Sequence, residues 1–356
     1  MTSPTRPRRQ EQEPADPTIT EVAPGVLRLQ LPIFLPGLGH VNCYALEDSR
    51  GIALVDPGLP GPKSWKALTE RLAAAGIPLK RVHTVVVTHS HPDHFGGAFR
   101  LRKETGADIV THARFQNWWN ASDEVADLDL DDDVTPAHDD GAAIAHEPGR
   151  TPWSGEQIRP PNHRTVRFKL TRLLAPNRFA APTPTIRLED ADTISLAGRE
   201  WSAVFTPGHT PDHLCLYDPA MGVLLSGDHV LPSITPHISG VGAGRDPLAR
   251  FFASLERMHT LEGVGTVLPA HGHPFTDLDG RVDSIRDHHH ERLETLRQAS
   301  HRLGPATVAD LSHELFRPQV WGTMAESETF AHLEHLRLTG SATRTEAAGI
   351  LSYQVT

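Results

Sequence analysis

The densest chemistry in the 356-residue chain lies in Thr88-His89-Ser90-His91-Pro92-Asp93-His94. Four side chains able to ligate a metal fall within six residues, directly after the apolar run VHTVVV. His89 and His91 are two apart, so an extended backbone puts them on one face. Asp93 and His94 lie where the chain turns toward a helix and can project to a second centre. Neutral imidazoles with a carboxylate suit Zn²⁺ or Fe²⁺ and leave coordination positions open for water. Three further segments repeat one design, an apolar run ending in a turn that bears a ligand type: AVFTPGHT at His209, VLLSGD at Asp228 and TVLPAHG at His271. The glycine beside each ligand permits a tight turn and close backbone approach. One such loop alone would be structural. Four strand ends of this kind in one chain point to a shared metal centre.

The elements that must position these residues read as alternating strands and helices. GIALVDPG (51–58) is a buried strand running into a turn, WKALTERLAAAG (65–76) has helical apolar spacing and a terminal glycine, and VHTVVVT (82–88) is a β-branched central strand. ADIVTHA (107–113) follows as the next strand, and further strand signals occur at 193–196, 201–206, 214–217, 223–225 and 264–268. A metal cluster at the carboxyl end of such a strand is where open α/β sheets place their sites. The rhythm fails between 115 and 184, where an acidic run (Asp123 to Asp140) precedes a basic one (Arg150 to Arg178) and Trp118, Trp119 and Trp153 occur. This stretch reads as an insertion with partial structure, either a lid over an apolar acyl group or a merely solvated, mobile insert. Three amphipathic helices, the first at 285–303, and a short β-like tail then suggest a winged-helix-like module over 285–356. The Pro- and charge-rich residues 1–17 are expected to form a disordered tail.

Composition narrows the classes. Hydrophobic residues make up 38% of the chain and charged residues 22%, enough apolar material for a globular core. The net charge of -10 argues against nucleic acid as the partner, and the C-terminal module is itself slightly acidic. Cys43 and Cys215 cannot build a disulfide framework, and with no apolar run of membrane-spanning length the chain is expected to be cytoplasmic. Cys215 reads as a small core residue.

On its HxHxDH motif and the three ligand-bearing strand ends, the chain resembles the metallo-β-lactamase-fold hydrolases, most nearly their glyoxalase-II-like branch, over residues 18–114 and 185–285. The resemblance implies an α/β fold, an αββα sandwich with the metals at one edge, as a catalytic domain over 18–284. It implies two divalent metal ions, most readily zinc, with iron or manganese as alternatives. The first would take His89, His91 and His209, and the second Asp93, His94 and His271. Asp228 and a hydroxide would bridge the pair, and Asp93 and Asp228 become the catalytic carboxylates. Asp56, in LVDPG, matches a position behind the metals and is expected to orient a ligand histidine, with a turn-forming role as the alternative.

A bridging hydroxide implies a hydrolase acting on a thioester or a related acyl ester or lactone. A thiolate leaves readily because thiol pKa values lie near about 8.5, and no Ser-His-Asp arrangement is needed. Ser90 and Ser226 read as turn residues. The C-terminal module lacks a basic cluster suited to glutathione, so the thiol carrier stays open. The alternatives are a mononuclear iron sulfur dioxygenase reusing His89, His209 and Asp228, and a nuclease of the same fold. His40, Asn42 and His237 are candidate substrate contacts. Tyr44 and His213 have the same standing, the other reading of the histidines being a surface or capping role. His288–His290 read as the opening of the C-terminal helix, solvated or approaching the metal edge. The C-terminal module is expected to pack on the catalytic domain, shape the pocket for a small-molecule acyl substrate, or support a homodimer.

Overall fold

A computed structural model describes residues 9–116, 150–157, 181–242 and 244–356. Its first sheet has seven strands in sequential order: β1 (Thr20–Ala23), β2 (Val26–Leu35), β3 (Leu38–Glu47), β4 (Ile52–Val55), β5 (Val82–Val86), β6 (Asp108–His112) and β7 (Ile186–Leu188). β1 to β4 pair antiparallel, and β4 to β7 pair parallel. The second sheet comprises β8 (Thr193–Leu196), β9 (Arg199–Phe205), β10 (Leu214–Asp218), β11 (Val223–Gly227) and β12 (Thr266–Pro269), ordered 12-11-10-9-8. β9 and β11 are each antiparallel to β10, and β12 is parallel to β11, so β9, β11 and β12 end at one edge.

Side-chain alternation along the strands builds the layers. On β3, Val41, Cys43 and Ala45 face one apolar cluster with Leu68 and Leu72 of α1 (Pro62–Ala74), Phe95 of α2 (Pro92–Phe95), and Leu101 of α3 (Ala98–Thr105). Tyr44 and Leu46, one step out of phase, face a second cluster with Trp201, Leu214, Leu216 and Leu225 between the sheets. Cys215, Tyr217 and Leu224, on the far side of the second sheet, face a third cluster beneath α4 (Pro247–Met258). The result is a mixed α/β sandwich, helix on sheet on sheet on helix. Both cysteines are buried and free. No helix among the described residues is long and apolar enough to cross a membrane.

That third cluster also contains the C-terminal elements: α5 (Leu278–Leu303), β13 (Ala306–Thr307), α6 (Val308–Leu315), α7 (Thr323–Leu338), β14 (Ala342–Ala347) and β15 (Ile350–Val355), the strands forming a small sheet ordered 13-15-14. Ile285, Leu293, Leu333 and Tyr353 share one core with Phe251, Leu224 and Val267. The expected boundary at residue 284 therefore falls inside a helix. α5 starts at Leu278 because Asp277 caps it, accepting from the Gly280 N–H, and Leu278 and Val282 extend its buried face. His288–His290 accordingly sit mid-helix, with His289 buried and His290 stacked on Phe252.

Two further expectations change. Residues 9–17 are not a loose tail. Glu11 is fully buried, and the segment lies against the loops after β11 and β12. A Pro- and charge-rich composition points to disorder, but the Glu11 carboxylate finds backbone donors at Ser233 and Ile234. Of the insertion, Trp118, Trp119 and the acidic run lie outside the described residues, and the lid with them. The described piece 150–157 packs on the C-terminal elements: Trp153 is buried, its Nε1 donates to Glu326 Oε2 at 2.9 Å, and its carbonyl accepts from Leu351 N–H at 2.8 Å.

With this shared core the sandwich and the C-terminal elements are expected to unfold as one cooperative unit. Leu333→Ala should cost about 2–5 kcal/mol and lower a single calorimetric transition; two separate transitions, with only one shifted, would refute this. A second expectation concerns acid. Burial pushes His332 and His112 each down to about 4. Such a histidine is neutral in the fold and charges on unfolding, so its contribution is complete above about pH 6.5 and is lost as pH falls toward its folded value. Each should cost up to about 2 kcal/mol by pH 5, seen as a falling unfolding midpoint between pH 7 and 5 that His332→Gln makes shallower.

Candidate metal centre

Five strands deliver the site to one edge. Asp56 follows β4; Thr88 to His94 follow β5; His209, Asp228 and His271 follow β9, β11 and β12. The seven expected ligands come together in two groups. Donor atoms of His89, His91, His209 and Asp228 all lie within 4.8 Å of one another, as do those of Asp93, His94 and His271. In the first group His91 Nδ1 stands 3.0 Å from His89 Nε2 and 3.1 Å from His209 Nε2. Asp228 Oδ2 is 3.5 Å from His209 Nε2 and 3.5 Å from His94 Nε2. Its Oδ1 is 3.3 Å from His271 Nε2, while Asp93 Oδ2 is 3.6 Å from His94 Nε2 and 3.5 Å from His271 Nε2. One carboxylate thus faces both groups.

These spacings fit a cation. Tetrahedral zinc with bonds of about 2.0–2.2 Å holds neighbouring donors about 3.3–3.5 Å apart. Among the described residues the buried atoms His94 Nε2, His271 Nε2 and Asp228 Oδ1 have no hydrogen-bond partner, a costly state that a metal would relieve. The electrostatics agree. Burial holds His89 and His91 well below the usual histidine range, as neutral ligands. Burial also disfavours charge on His94, but Asp228, Asp93 and Asp56 outweigh it and raise its pKa. Burial would raise Asp228, yet His271 and His94 hold it well below the carboxylate range. The edge therefore demands positive charge between Asp228 and Asp93.

The second ring nitrogens of His94, His271, His209 and His89 are held from behind. His94 Nδ1 donates to Asp56 Oδ2 at 2.8 Å, His271 Nδ1 to the His40 carbonyl at 2.6 Å, and His209 Nδ1 to the His237 carbonyl at 2.7 Å. His89 Nδ1 meets Thr88 Oγ1 at 3.0 Å, and that hydroxyl donates to Asp56 Oδ2 at 2.8 Å. Asp56 also accepts from Thr88 N–H, and its φ of 53° places a non-glycine residue in the left-handed region. It sits in the turn and accepts from both Thr88 and His94.

Other expected site residues land elsewhere. His40 and Asn42 are fully buried and cannot touch substrate. His40 acts through its carbonyl, and its ring spans Glu13 O and Gly272 N–H. Asn42 Nδ2 donates to Pro269 O and Gly272 O, and Tyr44 to Pro269 O, so both brace the His271 turn. The sequence pattern marked them only as neighbours of a motif; their pleat position on β3 turns them inward. His213 is buried, neither surface nor cap. Its Nε2 accepts from Asp228 N–H at 3.0 Å. A Cβ on Gly227 would approach that nitrogen to 2.6 Å, which explains the glycine before Asp228.

His237 remains a quarter exposed, and its ring donates to Glu328 Oε2 at 3.1 Å. Glu328, on α7, also pairs with Arg292 of α5. Neither partner is visible in the sequence, where 91 residues separate His237 from Glu328 and no local pattern links them.

Asp56→Asn should keep the turn but replace the carboxylate behind His94, lowering metal affinity by about 10–100-fold in chelator competition. Unchanged affinity would deny the residue that role.

A family model, the metallo-beta-lactamase superfamily, matches residues 36–297. The chain is 27% identical over 308 residues to the probable metallo-hydrolase YqjP of Bacillus subtilis (strain 168), covering 84% of this chain and 88% of that protein. It is 26% identical over 200 residues to the acyl-coenzyme A thioesterase MBLAC2 of Homo sapiens, covering 54% of this chain and 58% of that protein. Among solved structures, a metallo-beta-lactamase family protein from Thermus thermophilus superposes with a TM-score of 0.69 at 27% identity, over 94% of this chain and all of that one.

Proposed function

The chain belongs to the metallo-beta-lactamase superfamily, and on that footing we propose that it is a two-metal hydrolase of acyl thioesters or related acyl esters and lactones. The observation that carries this reading is the double-facing Asp228 carboxylate, with Oδ2 toward His209 and Oδ1 toward His271. His89, His91 and His209 would hold one divalent ion, Asp93, His94 and His271 the other, with Asp228 between them. Such a pair, when bound, lowers the pKa of coordinated water to about 7 and polarises an acyl carbonyl.

The chain's own residues supply position rather than a nucleophile. Ser90 and Ser226, the serines nearest the ligands, are buried and committed, donating to Asp212 Oδ1 and to the Val230 carbonyl. His237 is partly exposed and its carbonyl holds the ligand His209, which places it beside the metal edge. Unlike the buried His40, Asn42, Tyr44 and His213, it is the proposed substrate contact. The thioester preference draws on the likeness to an acyl-coenzyme A thioesterase and on the leaving group. A thiolate asks for little protonation, which suits a site whose histidines are all committed to metal or to a partner.

Elemental analysis of the purified chain, paired with an acyl-thioester panel read by thiol release, tests this. The expected result is two divalent ions per chain with thiol release, and for Asp228→Ala a fall to one or fewer with about 100-fold or greater loss of rate. One iron per chain with oxygen consumption and no thiol release would move the site to sulfur oxidation, and full activity in Asp228→Ala would sink the two-metal assignment.

A further inference from the structure

The segment before β1 makes a set of contacts that a disordered leader would not make. The Glu11 carboxylate is fully buried, accepts from Ser233 N–H at 2.7 Å and Ile234 N–H at 3.0 Å, and takes the Ser233 hydroxyl as well. These residues lie in the loop beyond Asp228. Gln10 Oε1 accepts from His273 N–H at 3.1 Å, and Glu13 Oε2 accepts from His273 Nε2 at 2.8 Å. The Glu13 carbonyl accepts from His40 Nδ1 at 2.8 Å. That bond leaves His40 Nε2 as the acceptor for Gly272 N–H at 3.1 Å, while the His40 carbonyl holds His271 Nδ1. Two hydrogen bonds through the His40 ring therefore join Glu13 to Gly272, the residue next to the ligand His271.

The sequence makes room for this contact. A Cβ on Gly39 would sit 2.1 Å from the Glu13 carbonyl oxygen, although Gly39 has no left-handed φ that would otherwise call for glycine. A Cβ on Gly272 would meet Pro232 at 2.6 Å and Gln10 at 3.4 Å. Glycine at 39 is thus explained by the segment lying across β3.

We propose that residues 9–16 form a strap that holds the His271 loop in ligand geometry and sets how long a cation stays in the Asp93–His94–His271 group. It rests on the reading of that group as a metal site. Glu11 and Glu13 are positioning residues, since neither touches the donor atoms. Anchored at the loop beyond Asp228 and at His40, the strap ties two ligand-bearing loops that belong to different strands of the second sheet to β3 of the first.

The test uses the full chain with Glu11→Ala and, separately, Gly39→Ala, two changes that free the strap from opposite sides. On metal-free protein, amide exchange at Ser233, Ile234, Gly272 and His273 should speed up about tenfold or more in both variants. Unchanged exchange would overturn the strap. On cobalt-loaded protein, chelator-driven release should show two phases, of which the one that His271→Ala abolishes should quicken about tenfold while the other holds. Glu11→Gln, which retains an acceptor oxygen, should restore part of the difference. Equal acceleration of both phases, the pattern expected of the core variant Leu333→Ala, or no acceleration, would overturn the proposal. A wild-type chain that takes up a single cobalt would count against the two-metal reading, and the exchange arm would still decide the strap.

Discussion

A single buried carboxylate, Asp228, carries negative charge at the meeting point of two sheets, and much of the molecule is arranged around that fact. Placing an unpaired anion there would be prohibitive. It is met by His209, His94 and His271 at 3.3–3.5 Å, with Asp93 adding a second negative charge beyond them. Charge of this density, enclosed in low dielectric, is stable only with positive charge among the donors. A cation held among the donors meets that requirement, and without one, despite burial, the carboxylates raise His94 and His271 toward the protonated form.

Ligand geometry in turn depends on what stands behind the rings. Three of the histidines point their Nδ1 atoms at fixed acceptors, two of them backbone carbonyls, which fixes tautomer and ring plane and leaves Nε2 for the cation. Backbone acceptors are informative. They mean that His271 and His209 are oriented by main chain at His40 and His237, so these two residues govern the site by where they place their carbonyls. The strained φ of Asp56 serves the same end, since a turn there lets one carboxylate hold both Thr88 and His94.

The C-terminal helices complete this support rather than forming a separate body. Leu293, Leu333 and Tyr353 lie in the core that covers the second sheet, and Glu328 of α7 reaches His237, whose carbonyl holds His209. His289 donates to His332, which donates to the Glu328 carbonyl, so buried polar groups run from α5 through α7 to the site edge. Packing of these helices and orientation of a ligand histidine are mechanically one problem.

The candidate ligands and the alternating strands and helices that carry them were legible in the residues themselves, because both follow from local rules, whereas the sandwich was expected only from the family resemblance. Alternating apolar strands end in Gly-flanked histidines and aspartates, and a side chain at a strand's end has few places to point. His89, His91, Asp93, His94, His209, Asp228 and His271 therefore emerge from pattern alone. What the sequence could not fix was every role that depends on contact between distant segments. Glu11 reaches Ser233 across 222 residues, and Glu328 reaches His237 across 91. Whether His40 faces a pocket or lends its carbonyl depends on which side of β3 is buried by its partners, and whether α5 starts a new domain depends on what lies beneath its apolar face. Composition averages over a segment and reads residues 9–17 as unable to pack, whereas a buried carboxylate needs only a few donors in the right place, and only the tertiary structure decides where those donors are.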